Sequence, residues 1–268
     1  MEALIAIPIL LILGAIAGLM AGLLGIGGGV VLVPGLYYIL INLGYEQNAM
    51  HVAVGTSLLT IIFTGTSSAL SHYKKNAVDT KLLKSFIPGV IFGVLIGSVL
   101  ADIFSSTILK IIFATSQITL GSYMLFKSGN ITISKNMPKP LLTSIISASN
   151  SCLATLMGIG GGVMNVLFMN MCNVNMHKAV ATSAAIGPFI AIIGAAGFLI
   201  IGLDQTNLPP YNIGYLNMPA FLCIISASML TAPLGAKIAH SVSVTTLKRY
   251  FSVFLLCVSA KMLMEVFM

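Results

Sequence analysis

Long apolar stretches, separated by short polar segments, run through the whole chain. Residues 3–45 and 141–176 contain no Asp, Glu, Lys, Arg or His. A helix needs about 20 apolar residues to cross a hydrocarbon core of about 30 Å. The apolar runs are continuous and do not alternate as barrel strands would, so they predict membrane helices. The sequence predicts an all-α polytopic membrane protein with about eight full spans and two short, broken or re-entrant helices.

Composition and charge restrict the function classes. The 268 residues are 57% hydrophobic and 7% charged, whereas a soluble domain carries about 25% charged residues. These values exclude an ordinary soluble enzyme. The 13 basic residues are spread over short loops, where they set membrane orientation, so we expect no nucleic-acid partner. Because no metal, cofactor or catalytic motif is found, we expect a lipid-embedded protein that is not an enzyme and needs no cofactor.

Three motifs occur twice and in the same order, which predicts an internal duplication. The sequence GIGGGV occupies residues 25–30 and recurs at residues 158–163. The pattern HxAVxTS begins at His51 and again at His177. Gly97 in the first copy matches Gly235 in the second, 138 residues later. A linker rich in Pro, Lys and Asn divides the chain, so the predicted units are a first repeat (1–127), a linker (128–140) and a second repeat (141–268).

Matching loops of the two copies carry opposite charge bias. The loop 72–84 contains four lysines, whereas its counterpart 202–214 contains Asp204 as its sole charged residue. Since cytoplasmic loops are enriched in Lys and Arg, this bias predicts two inverted-topology repeats. With the N-terminus outside and the linker in the cytoplasm, 11 of the 13 basic residues but one of the six acidic residues lie inside. The expected location is the cytoplasmic membrane, crossed many times.

The GIGGG segments are the strongest candidates for a binding site. Each glycine costs about 1 kcal/mol in a helix relative to alanine, so four within five residues predict a break. Broken backbone within a membrane must be buried in protein or line a cavity. The helix that follows begins with unpaired N–H groups and a partial positive charge, which favour an anion. Alternatively, the glycines serve helix packing alone. The candidate substrate-binding glycines are Gly27, Gly28 and Gly29 in the first copy and Gly160, Gly161 and Gly162 in the second.

Polar side chains near these segments extend the candidate site. Hydroxyl groups close to the start of the next helix could donate to an anion or bond to their own backbone. Asn165 lies three residues beyond the second GIGGG and could line the site or bond between helices. Two paired histidines are candidates for a gate or proton relay, or else for interfacial or capping residues. The hydroxyl candidates are Thr56, Ser57, Thr182 and Ser183, and the histidines are His51 and His177.

The repeated motifs, together with NIGYLN at residues 212–217 and APLGA at residues 232–236, resemble the sulfite exporter TauE/SafE family, also called the toluene-sulfonate uptake permease family. The resemblance covers essentially the whole chain. It implies movement of sulfite, thiosulfate or a small organosulfonate across the cytoplasmic membrane, by export or import. We expect alternating access at a midplane site. The alternatives are an anion channel and a non-transport membrane subunit. The sequence leaves open which anion moves, its direction, coupling to a proton or another ion, and the oligomeric state.

Overall fold

The computed structural model describes residues 2–24, 28–126, 134–239 and 244–267. Within these ranges the chain forms ten helices and one two-stranded antiparallel hairpin. The first five helices are α1 (Glu2–Leu24), α2 (Gly29–Asn42), α3 (Ala49–Lys74), α4 (Thr80–Ile103) and α5 (Ser106–Phe126). The remaining elements are α6 (Pro140–Leu156), α7 (Gly162–Met171), α8 (Met176–Ile201), β1 (Asn212–Ile213), β2 (Leu216–Asn217), α9 (Met218–Ala239) and α10 (Val244–Phe267).

Helix length and apolarity confirm an all-α polytopic membrane protein. Six of the described helices are long and apolar enough to cross a membrane: α1, α3, α4, α5, α8 and α9. The helices α6 and α10 do not meet both criteria: α6 has 17 residues, and α10 has 24 but is less apolar. The helices α2 and α7 have 14 and 10 residues, about 21 and 15 Å at 1.5 Å per residue. Both are too short to cross a hydrocarbon core of about 30 Å.

The two halves of the chain interlock. Helix α1 packs against α9 of the second half, and α6 packs against α4 of the first half. The pairs α3 with α8 and α5 with α10 also join the halves. Exchanging α1–α5 with α6–α10 turns the pair α1–α9 into α6–α4 and leaves α3–α8 and α5–α10 unchanged, so the packing has a pseudo-two-fold pattern. The part of the linker at residues 127–133 lies outside the described residues.

Glycines and hydroxyl groups bring α4 and α6 close together. A methyl group placed on Gly89 would collide with the carbonyl oxygen of Ser144, so α6 backbone lies directly against this glycine. The Ser144 hydroxyl donates to the Ser85 carbonyl at 2.8 Å, and the Ser147 hydroxyl donates to the Phe86 carbonyl at 3.0 Å. Close approach and interhelical hydrogen bonds drive helix association in lipid, where apolar burial contributes little.

The exterior of the helices is apolar, as a lipid-facing surface requires. On α4, Phe92 is 67% exposed and Val99 is 60% exposed, whereas Phe86 and Val90 on the opposite face are fully buried. Residues 49–58 of α3 are all buried, which places the start of this helix at the centre of the molecule.

Candidate functional site

Gly28 and Gly29, the described residues of the first glycine segment, lie at the start of α2. Gly28 precedes α2 and packs against α1, where an added methyl group would lie 3.1 Å from the Cβ of Ala17. Further along α2, Gly35 packs against the side chain of Leu13. The helix α2 therefore returns antiparallel to α1. Gly27, a predicted site residue, lies outside the described residues.

The second glycine segment forms an equivalent hairpin. Gly158 and Gly161 adopt positive φ angles of 66° and 68°, a conformation that glycine reaches without a steric penalty. Gly161 directly precedes α7, and a methyl group on it would lie 3.6 Å from the Cβ of Ala154 on α6. The Asn150 amide on α6 donates to the Asn165 side chain on α7 at 3.3 Å. The helix α7 thus runs back along α6.

The two glycine segments meet inside the protein. A methyl group on Gly29 would lie 2.5 Å from the Gly158 carbonyl oxygen, so the start of α2 touches the second turn. The Ser57 hydroxyl donates to the same carbonyl at 2.8 Å. The Ser183 hydroxyl donates to the Gly162 carbonyl, also at 2.8 Å. Both predicted serines therefore lie at the junction, and both use their hydroxyl protons to hold the glycine backbone.

The second turn carries unpaired backbone donors. Among the described residues, no acceptor takes the amide protons of Gly162, Val163 and Met164, whereas the Asn165 amide donates to the Gly161 carbonyl at 3.1 Å. Gly160, Gly161 and Gly162 are all buried. The Asn165 side chain is fully buried as well, and its Nδ2 has no hydrogen-bond partner in the described part of the chain. These N–H groups can bind a hydrogen-bond acceptor, above all an anion.

The predicted threonines connect the two halves. The Thr56 hydroxyl accepts a 2.9 Å hydrogen bond from the backbone N–H of Asn217, and the Thr182 hydroxyl accepts a 3.0 Å bond from that of Asp79. Asn217 and Asp79 in turn cap α9 and α4: the Asn217 side chain accepts from Ala220, and the Asp79 side chain from two amides of the first turn. The same bond thus occurs twice, once from each half to the other.

The two predicted histidines have different surroundings. The Nε2 of His51 lies 3.0 Å from the carbonyl oxygens of both Ala101 and Phe104 at the end of α4, and its ring stacks on Tyr215 at 4.8 Å. Burial raises the pKa of Tyr215 to about 12, so this phenol stays neutral at physiological pH. His177, by contrast, is exposed. The structure brings neither histidine into the glycine junction by a hydrogen bond.

The sequence did not predict some of the polar residues that the structure brings together. Asn150 is one, because nothing in the local pattern separates it from other polar residues on α6. Another group lies in a cavity of about 310 Å³ lined in part by Lys110, Glu46 and Glu265. The Lys110 ammonium is buried, donates to the Tyr37 hydroxyl at 2.8 Å and lies 3.8 Å from the Glu265 carboxylate. Among the described residues, no group of three or more His, Cys, Asp or Glu could hold a metal.

These features define a polytopic helical membrane protein with two interlocked halves and paired glycine hairpins. Residues 10–262 match the profile of the family described as Sulfite exporter TauE/SafE. The chain is 32% identical to a probable membrane transporter protein of Haemophilus influenzae, over 95% of this chain and 97% of that one. It is 30% identical to a probable membrane transporter protein of Methanocaldococcus jannaschii, over 90% of each chain, and 28% identical to the Bacillus subtilis protein YunE, over 96% and 97%.

The chain therefore belongs to the sulfite exporter TauE/SafE family and is a membrane transporter. The predicted family is confirmed. No solved structure matches the chain.

Proposed function

We propose that this transporter moves a small sulfur-containing anion, namely sulfite, thiosulfate or an organosulfonate, across the cytoplasmic membrane by alternating access. The observation that carries the proposal is the set of backbone amides without an acceptor among the described residues, which begins α7 directly after the second glycine turn. Oxyanions are acceptors in several directions, and a helix N-terminus supplies matching donors. Family membership supports the sulfur chemistry.

In this proposal the predicted residues have different roles. The glycines of the second turn expose backbone N–H groups to the anion, because no side chain at these positions shields the backbone. Ser57 and Ser183 fix the turn carbonyls, which keeps the amides of the turn pointing away from them. Thr56 and Thr182 connect each half to the capping residue of a helix in the other half. Asn165 supplies a side-chain donor beside the amides.

The repeated threonine–cap hydrogen bond supports the two-repeat organisation. Thr56 and Thr182 are related by the 126-residue offset of the HxAVxTS motif, and Asp79 and Asn217 by the 138-residue offset of Gly97 and Gly235. With the opposite charge bias of matching loops, this pattern favours inverted repeats. We propose that His51 acts at a gate, because its ring joins the start of α3 to the carbonyl end of α4.

Flux into proteoliposomes tests the proposal. The purified protein is reconstituted, and uptake of sulfite, thiosulfate and sulfoacetate is compared under gradients of both directions, with protein-free liposomes as the control. We expect saturable uptake of at least one of these anions. Uptake that rises linearly with concentration and needs no coupling ion would point to a channel instead. If no sulfur anion moves in either direction, the substrate assignment is wrong.

A further inference from the structure

We infer that the two glycine turns are not equivalent: the second turn binds the charged oxygens of the anion, and Asn150 is the positioning residue that orients the donor group of Asn165 toward it. This inference rests on the proposed transport of an anion at the glycine junction. It concerns a residue that the sequence motifs do not contain. It also assigns the first turn a different task, which is packing.

The amide of Asn165 is placed as a donor for a ligand. The side chain is fully buried, and its Oδ1 accepts the 3.3 Å hydrogen bond from the Asn150 amide. This bond fixes the orientation of the group, so its Nδ2 points the other way. The Nδ2 has no partner within the described residues and lies 3.1 Å from the position of a methyl group built on Gly161. A fully buried NH₂ group without an acceptor is costly, and a bound acceptor removes that cost.

The backbone beside this amide offers the same chemistry. The unpaired N–H groups of Gly162 and Val163 begin α7, three and two residues before Asn165. The left-handed backbone conformation of Gly161 turns the chain, so that α7 starts at the next residue. Backbone and side chain together present donors without a cation. This set suits a small oxyanion with at least two acceptor oxygens, such as a sulfite or sulfonate group.

The first turn lacks the matching side chains. The 133-residue offset of the GIGGGV motif relates Asn165 to Leu32 and Asn150 to Ala17. Both counterparts are apolar and 1% exposed. Ala17 packs on Gly28, and Gly29 packs on the Gly158 carbonyl, so the described part of this turn makes close contacts with an apolar side chain and with backbone. The pseudo-symmetry therefore ends at the side chains that recognise charge.

Binding and uptake of thiosulfate by the purified, reconstituted full chain test the inference. The variant Asn165→Leu carries leucine at this position, as the first repeat does at Leu32. We expect the affinity of this variant for thiosulfate to fall at least tenfold. Asn170→Leu is the matched control, because Asn170 lies on the same helix but bonds to the Met176 sulfur. We expect this variant to keep the wild-type affinity.

Asn150→Asp tests positioning separately from packing. A carboxylate cannot donate, so it accepts from Asn165 and reverses that amide, which turns an oxygen toward the anion. We expect a larger loss of affinity than in Asn150→Ala, and partial recovery at acidic pH, where the introduced carboxyl group is protonated and donates again. Equal losses in both variants at every pH would overturn the positioning role.

The outcomes separate the two proposals. If the wild-type protein moves none of the sulfur anions, the proposed function itself fails. If the wild-type protein moves thiosulfate but Asn165→Leu binds it unchanged, the transport proposal stands and the inequality of the turns is refuted. Should Asn165→Leu fail to fold, Asn165→Ser replaces it, because the smaller residue keeps one donor and is expected to retain more affinity than Asn165→Ala.

Discussion

Replacing Gly89 by alanine perturbs the tightest part of the contact between α4 and α6. The added methyl group meets the carbonyl oxygen of Ser144, which is backbone and cannot rotate away. The two helices must therefore separate or shift. Overpacking of this kind costs about 1–3 kcal/mol. The Ser144 and Ser147 hydroxyl bonds to α4 weaken as well, and interhelical hydrogen bonds in membranes average about 0.6 kcal/mol each. Alanine returns up to about 1 kcal/mol of helix propensity.

The net expectation is a loss of about 1–3 kcal/mol in stability. The control is Gly65→Ala on α3, where the nearest atom to the added methyl group is 3.4 Å away, at ordinary contact distance. Thermal unfolding in detergent can be followed with a thiol-reactive dye, because Cys152 and Cys172 are free and become exposed on unfolding. If Gly89→Ala unfolds at the same temperature as Gly65→Ala, the argument from close helix approach is refuted.

The same assay checks three further effects. Gln117 is fully buried, and no described residue bonds to its Oε1 or its Nε2, so Gln117→Leu should raise the unfolding temperature. A clear fall would show that the amide is hydrogen-bonded in the membrane. Thr56→Val should lower the stability of the protein by about 1–3 kcal/mol, because it leaves the buried backbone N–H of Asn217 without its acceptor. Thr182→Val should cost less, because the backbone N–H of Asp79 is only partly buried. A double-mutant cycle of Lys110→Met with Glu265→Gln should give a coupling below about 1 kcal/mol, since Glu265 is 36% exposed and the pair is 3.8 Å apart.

Sequence patterns predicted the elements of this fold more fully than its contacts. The charge-free runs and the glycine breaks correctly indicated a helical membrane protein, because both signals are local: lipid requires apolar length, and glycine weakens a helix wherever it lies. The NIGYLN motif at residues 212–217 was recognised, but the antiparallel hairpin that it forms, Asn212–Ile213 with Leu216–Asn217, was not predicted. Two-residue strands carry too little alternation for a periodic signal.

The contacts of the candidate site could not be derived in the same way. The sequence showed that Ser57 and Ser183 are equivalent, but not that one holds Gly158 in the other half and the other holds Gly162 in its own half. Likewise, a repeat analysis treats His51 and His177 as a pair, whereas one is buried and the other exposed. Such differences depend on which helix faces each residue, and a one-dimensional pattern does not contain that information.

The interlocked packing bears on how alternating access can occur. Rocking residues 1–127 as one body against residues 141–268 would separate α1 from α9 and α4 from α6 at the same time. In these pairs, glycines contact the backbone of the opposite helix, as Gly89 does with Ser144 and Gly235 does with Leu19. Separating the paired helices would therefore break close packing along the length of each pair.

Each of these pairs should therefore move as one body that contains a helix from both halves, and the relative motion should occur around the glycine turns and the α3–α8 contact. The distance between spin labels on the lipid-facing sides of α4 and α6 should stay the same when thiosulfate is added. The distance between labels on α4 and α3 should change. A distance change between α4 and α6 as large as that between α4 and α3 would contradict the paired-helix bodies and favour rocking of whole repeats.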